Sequence, residues 1–244
     1  MKSVERTALH MSRPAARPRI GFVRLIAYSA IAWVIGIDPA LAQSAPPKMN
    51  LDETIERAAS IVQTQDCQGA ARQIKRAQDY VKANAVNNQL SRQQMGFVLK
   101  DIALCYFGAG QKAQGEQAGA DAIALFQSSL RGNVMDASSY NGMGDIYLLR
   151  KEYDDAINEY GLAIRLVPDY TFAWHDLVLA LSSKYKDAGK ADSETLSRLL
   201  RALDRLEELQ RTAPQKVPAD HWEGIKQIKT WALAESAKLT TSKK

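Results

Sequence analysis

The sequence predicts an all-α fold built from antiparallel helix pairs. From Leu51 onward, apolar residues recur every three or four positions, which is the spacing of one face of a helix. Glycine, proline and short polar runs separate these segments, as expected between helices. Between residues 137 and 168, small residues stand at positions where two helices could approach closely. We therefore expect the core to lie between paired helices.

Residues 1–42 have the features of a bacterial secretory signal. A basic front ends at Arg24, an uncharged and mainly apolar run covers residues 25–37, and Ala40-Leu41-Ala42 fits the small-x-small cleavage pattern. We expect cleavage after Ala42, which would place the mature protein in the periplasm or outside the cell. A retained membrane anchor is the alternative, although the run is shorter than the roughly 20 apolar residues that span a bilayer. Because the basic front is long for a signal, Met11 is an alternative start.

The net charge of the chain depends strongly on this segment. The full sequence carries 32 basic and 27 acidic residues. Without residues 1–42 the net charge falls to about +1. Nucleic-acid binding thereby loses its main electrostatic support, and we expect no nucleic-acid partner.

Two helix pairs are expected after a short linker at residues 43–50. The first covers about residues 51–84, with a break at Gln65-Asp66. The second covers about residues 96–129, and the run Gly108-Ala109-Gly110 ends its first helix. Ser91 is the predicted N-cap of this second pair because serine side chains accept hydrogen bonds from the first free amides of a helix.

The third pair, residues 137–170, carries the most specific pattern in the chain. Eight aromatic, apolar, small or helix-ending residues stand at characteristic intervals, namely Tyr140, Met143, Gly144, Tyr147, Ala156, Tyr160, Ala163 and Pro168. This pattern resembles one unit of the tetratricopeptide repeat (TPR) family. The resemblance implies an α-solenoid that binds proteins or peptides in a concave groove. The first two pairs match the same spacing less completely, as degenerate repeats.

The chain after this repeat is expected to complete the solenoid. Residues 171–212 form a fourth, degenerate repeat, whose second helix is displaced by a polar stretch at residues 184–192. That helix carries a leucine stripe from Glu194 to Gln210. Residues 219–239 have the two-sided character of a capping helix, and residues 240–244 are expected to be a disordered tail.

Cys67 and Cys105 are the only cysteines in the sequence. A TPR stack would place their helices side by side, and exported proteins meet oxidising conditions, so we expect a disulfide bond. Two buried free thiols, or a redox or metal role, are the alternatives.

In the TPR family, fixed positions of each first helix line the concave groove. The resemblance assigns these positions to Ser138, Asn141, Asp145 and Leu148 in the third pair, and to Phe172, His175 and Leu179 in the fourth. The resulting face is mixed and nearly neutral. Of the residue types with which family members clamp a peptide carboxylate, only Asn141 is present. We therefore expect an apolar or hydrogen-bonded extended segment as the ligand.

These features favour a periplasmic scaffold or adaptor that binds a protein or peptide segment of the cell envelope. The alternative is a structural or self-associating helical protein that uses the leucine stripe. We expect no enzyme, metal or cofactor, because the chain has few histidines and no H-E-x-x-H or G-x-S-x-G motif. An enzyme with an unfamiliar site would depend on His175.

Overall fold

The computed structural model describes residues 49–84, 86, 88–188, 192–214 and 219–241. These ranges contain no β-strand and nine helices, which are α1 (Leu51–Gln63), α2 (Cys67–Ala83), α3 (Gln89–Gly108), α4 (Lys112–Leu130), α5 (Ala137–Leu149), α6 (Tyr153–Leu166), α7 (Thr171–Asp187), α8 (Ser193–Thr212) and α9 (Ala219–Thr241). The prediction of an all-α fold is confirmed. The expected signal sequence and residues 43–48 of the expected linker lie outside the described residues.

The helices pack as consecutive pairs. The pairs are α1 with α2, α3 with α4, α5 with α6 and α7 with α8, while α9 packs against α7 and α8. Each first helix also packs against the next, from α1 through α3 and α5 to α7, whereas successive second helices make no comparable contacts within the described ranges. The first helices therefore form the inner, concave layer, and the expectation of a TPR-like solenoid is confirmed.

Three element boundaries differ from the sequence-based prediction. Helix α3 begins at Gln89, because Asn88 Oδ1 accepts hydrogen bonds from the amides of Leu90 and Ser91 at 3.0 and 3.3 Å. Asn88, and not Ser91, is thus the N-cap. Helix α7 continues through the first part of the polar stretch to Asp187. Helix α9 continues to Thr241, so the first two residues of the expected disordered tail are helical, while residues 242–244 lie outside the described ranges.

Glycines set the distance between helices at two places. An ideal Cβ at Gly144 would lie 2.6 Å from the ring of Tyr160, which confirms the close approach predicted for α5 and α6. The sequence alone does not explain why position 142, within helix α5, is a glycine. A Cβ there would lie 2.6 Å from the ring of Phe126, and one at Gly96 would lie 2.8 Å from the same ring. Phe126, which is fully buried, thus fills a space that only glycines on α3 and α5 leave open.

The leucine stripe of α8 belongs to the core. Leu196, Leu199, Leu203, Leu206 and Leu209 are all at least 96% buried. Four of them share a cluster with residues of α7 and α9. The leucine stripe is therefore not available for self-association, because the chain's own helices already cover it.

Candidate interaction surface

Polar side chains from three successive first helices meet on the inner layer. Lys100 of α3 donates a hydrogen bond from Nζ to Asp145 Oδ2 of α5 at 3.2 Å. The same ammonium lies 3.3 Å from Asp101 Oδ1. Lys100 is buried, with a side chain only 8% exposed, whereas the Asp101 and Asp145 side chains are 29% and 21% exposed. The lysine thus lies beneath carboxylates that reach the surface.

Asp145 also connects this layer to the second helix of its own pair. The buried Tyr160 of α6 donates a hydrogen bond from its hydroxyl to Asp145 Oδ1 at 3.0 Å. This contact depends on Gly144, because the absence of a side chain there allows the Tyr160 ring to lie against α5. The same small residue that sets the helix spacing therefore also positions an acidic group of the inner layer.

Helix α7 adds a second carboxylate. Asn141 of α5 donates from Nδ2 to Asp176 Oδ2 at 3.0 Å, and His175 Nδ1 lies 2.9 Å from Asp176 Oδ1. Asn141 is only 5% exposed, and its Oδ1 has no hydrogen-bond partner among the described residues. An amide oxygen buried without a partner costs about 1–3 kcal/mol. The third and fourth helix pairs are thus joined through a polar group that retains an unused acceptor.

Burial and neighbouring charges shift the pKa values of this network. Burial would lower the pKa of Lys100, but Asp145 and Asp101 outweigh it and hold that pKa above its usual value. Burial, reinforced by the negative charge of Asp176, raises the pKa of Asp145 to about 7 despite the opposing effect of Lys100. Burial would also raise the pKa of Asp176, but hydrogen bonding to His175 and the charge of that histidine lower it. Lys100 is thus shared between two carboxylates, of which Asp145 is partly protonated near neutral pH.

A separate polar group forms where α5 begins. Asp136 is the N-cap, and its Oδ1 accepts from the amides of Ser138 and Ser139 at 3.2 and 3.3 Å. The Ser138 hydroxyl donates to the same oxygen at 2.6 Å. From α3, Gln93 Nε2 donates to Asp136 Oδ2 at 2.6 Å and to Ser138 Oγ at 2.9 Å. The cap of one helix thus also fixes the neighbouring first helix.

The structure brings four of the predicted groove residues into these polar groups and leaves three outside them. Ser138, Asn141, Asp145 and His175 take part, and Asn141 and His175 are too buried to offer a large contact area. Leu148 and Leu179 are half-buried and pack against the core. Phe172 is half-buried, with its ring 6.1 Å from that of Tyr170.

Sequence reasoning missed several members of the network, namely Lys100, Asp101, Asp136, Tyr160 and Asp176. The family positions used for the prediction do not include them, and the predicted face was therefore nearly neutral. One signal was present in the sequence. Lys100 and Asp101 interrupt an otherwise apolar run from Phe97 to Ala103, and charged residues within a buried stripe require partners.

The predicted disulfide is confirmed. Cys67 of α2 and Cys105 of α3 are bonded, with Cα atoms 5.6 Å apart. The bond fastens the first helix pair to the second, on which Lys100 and Asp101 lie.

No helix within the described ranges has the length and apolar character needed to cross a membrane. In the same ranges, no group of three or more histidine, cysteine, aspartate or glutamate residues could hold a metal ion.

Comparisons with known proteins identify similar structures but no family. No known family profile matches the chain, and no curated protein sequence matches it. The TPR2AB-domain:pHSP90 complex of yeast Sti1 is 12% identical, with a TM-score of 0.40, over 76% of this chain and 86% of that one. MamA is 19% identical, with a TM-score of 0.38, over 75% of this chain and 95% of that one.

A structure described as that of a protein-binding protein from Bacteroides ovatus is 14% identical to this chain. The alignment has a TM-score of 0.36 and covers 78% of this chain and 99% of that one. At these scores the similarities carry no conclusion about function. The TPR-like architecture rests instead on the helix pairing and on the contact of Gly144 with Tyr160 within this chain.

Proposed function

We propose that this protein is an exported scaffold that binds an extended segment of a cell-envelope protein along its concave face. The observation that carries the proposal is the inner layer itself, because α3, α5 and α7 pack side by side and together present partly exposed polar side chains. An extended segment that crosses these helices could contact all three. The leucine stripe of α8 offers no comparable surface.

The signal-like residues 1–42 support export. The disulfide between Cys67 and Cys105 is consistent with an oxidising compartment, since such bonds are rare in the cytosol. Cell fractionation followed by N-terminal sequencing tests this part of the proposal. A periplasmic or secreted protein that begins at Gln43 is the expected result. A chain that retains its first 42 residues in the membrane would contradict it.

Affinity capture tests the binding surface. Residues 43–244, kept oxidised, serve as bait in a periplasmic extract from the native host. The groove variant carries Asp101→Asn and Phe172→Ala, which alter two partly exposed inner-layer residues. The control carries Asp121→Asn and Tyr80→Ala, which make the same charge change and likewise remove one aromatic ring, on the second helices α4 and α2.

We expect the wild-type protein and the control to retain the same envelope protein, and the groove variant to lose most of it. Circular dichroism should show equal helicity for all three. Equal retention by all three baits, or no retained protein at all, would contradict binding at the concave face.

A further inference from the structure

We propose that the concave face recognises a basic side chain, a lysine or an arginine, in the segment that it binds. Asp101, Asp145 and Asp176 would receive this side chain, and we call these three residues the acidic cluster. The inference rests on the proposed function and adds the chemistry of the ligand.

The first argument is the charge balance of the acidic cluster. Lys100 contacts Asp101 and Asp145, and His175 contacts Asp176. The three carboxylates thus share one lysine and one histidine as basic contacts. Their side chains are 29%, 21% and 20% exposed, so a ligand can reach them from the groove. Partly desolvated carboxylates attract a cation more strongly than fully hydrated ones do.

The second argument is the unused acceptor of Asn141. Its Nδ2 is fixed by Asp176 Oδ2 at 3.0 Å, and the reversed amide would place two oxygens against each other. Its Oδ1, on the other branch of the same amide, is buried and accepts no hydrogen bond from any described residue. What this oxygen and the neighbouring carboxylates have in common is a need for N–H donors. An ammonium group offers three donors and a guanidinium group five, and neither can accept a hydrogen bond.

Protonation supports the same conclusion. Asp145 faces Lys100 of α3, Tyr160 of α6 and Asp176 of α7, with Tyr170 also near. Lys100 in turn contacts Asp101, and Asp176 contacts His175. Burial and Asp176 raise the pKa of Asp145 to about 7. A bound cation would lower this pKa, so binding near neutral pH should release protons. Affinity for a basic ligand should accordingly increase as the pH rises from about 6 to 8.

An anionic ligand fits this surface poorly. A peptide C-terminal carboxylate would approach three carboxylates, and the lysine that could attract it is already paired with two of them. Like charges at an interface oppose binding. The cluster therefore favours an internal basic residue of an extended segment.

An unbiased peptide selection tests this inference. Random heptapeptides displayed on phage, with a neutral linker, are selected on the oxidised protein (residues 43–244) at pH 7.5. Enriched sequences are then synthesised, and their dissociation constants are measured by calorimetry at pH 6 and pH 8. The same peptides are measured on Asp101→Asn, Asp176→Asn and Phe172→Ala, and on Asp121→Asn as a control with the same charge change on α4.

We expect the enriched peptides to share lysine or arginine at one position. Each substitution in the acidic cluster should weaken binding about tenfold or more, since both carboxylates are partly desolvated. The control should bind like the wild type. Asp101 is the more exposed of the two, so Asp101→Asn keeps the test valid if Asp176→Asn fails to fold.

Three results would overturn the inference. These are enrichment without a shared basic position, unchanged affinity of Asp101→Asn, and no enrichment at all. The proposed function is tested by different results. Peptides that lack a basic residue and no longer bind the Phe172→Ala variant would support groove binding while disproving the basic ligand. A scaffold that captures no envelope protein would disprove groove binding itself.

Discussion

The Tyr160 hydroxyl donates a 3.0 Å hydrogen bond to Asp145, across the pair formed by α5 and α6. The bond links the packing of the solenoid to its inner surface. The tyrosine ring lies where a Cβ on Gly144 would have to be, and its hydroxyl then reaches the carboxylate that also pairs with Lys100. A change in the spacing of these helices should therefore also disturb the candidate interaction surface.

The first prediction concerns this spacing. Gly144→Ala should destabilise the protein by about 1–3 kcal/mol, because the new methyl group would lie 2.6 Å from the ring of the fully buried Tyr160. Gly161→Ala is the matched control on α6, where the nearest atom to a Cβ is 3.8 Å away on a flexible arginine. The control should be neutral or more stable by up to about 1 kcal/mol, since alanine favours helix. Urea denaturation measures both, and equal stability of the two variants would disprove the contact.

The second prediction concerns the pH dependence of stability. The pKa of Asp145 is about 7 in the folded protein, against about 4 for an exposed aspartate. Between these values the folded state retains a proton that the unfolded state releases. The free energy of unfolding should therefore decrease as the pH rises from about 4.5 to 7, by at most about 1.4 kcal/mol per pH unit from this group.

Asp145→Asn should flatten this slope, and Asp121→Asn on α4 should not. Asp176 has the opposite shift, because His175 lowers its pKa, so its contribution to stability is lost only below about pH 4. Urea denaturation at a series of pH values gives both slopes. An unchanged slope in Asp145→Asn would show that this carboxyl does not titrate in that range.

The third prediction concerns the bond between Cys67 and Cys105, which lie 38 residues apart. In the chain-entropy model, closing a loop of this length stabilises the folded state by about 4 kcal/mol. Reduction of the wild-type protein should therefore lower its stability by up to that amount. The stability of the double variant Cys67→Ala and Cys105→Ala should not change when a reductant is added. Comparable denaturation of oxidised and reduced wild type would show that the bond adds little.

The fourth prediction concerns the cap of α5. Asp136→Ala removes acceptors from two helix amides and leaves the Gln93 amide without its 2.6 Å partner. The loss should exceed the roughly 1 kcal/mol typical of a cap. Asn50→Ala, at the exposed start of α1, removes a single cap bond and should cost about 1 kcal/mol or less. Thermal unfolding compares the two variants. An equal loss of stability would show that the hydrogen bond from Gln93 to Asp136 adds no stability.

The sequence by itself determined the helices and their pairing. The spacing of apolar residues places each helix, and Gly144, Ala156 and Ala163 mark where a pair must approach closely. These signals are local, because they depend on residues a few positions apart in one helix or on the two helices of one pair. The cysteines could also be paired from the sequence once the stacking of the pairs was expected.

Only the tertiary structure decided which polar residues meet on the inner layer. Lys100, Asp145 and Asp176 come from three helix pairs, and their contacts depend on how those pairs stack. Gly142 likewise has a role only because Phe126 from another pair lies against it. Helix periodicity fixes which side of a helix is apolar, but it does not fix the rotation between neighbouring pairs. That rotation brings these charged groups together, and with them the chemistry proposed for the ligand.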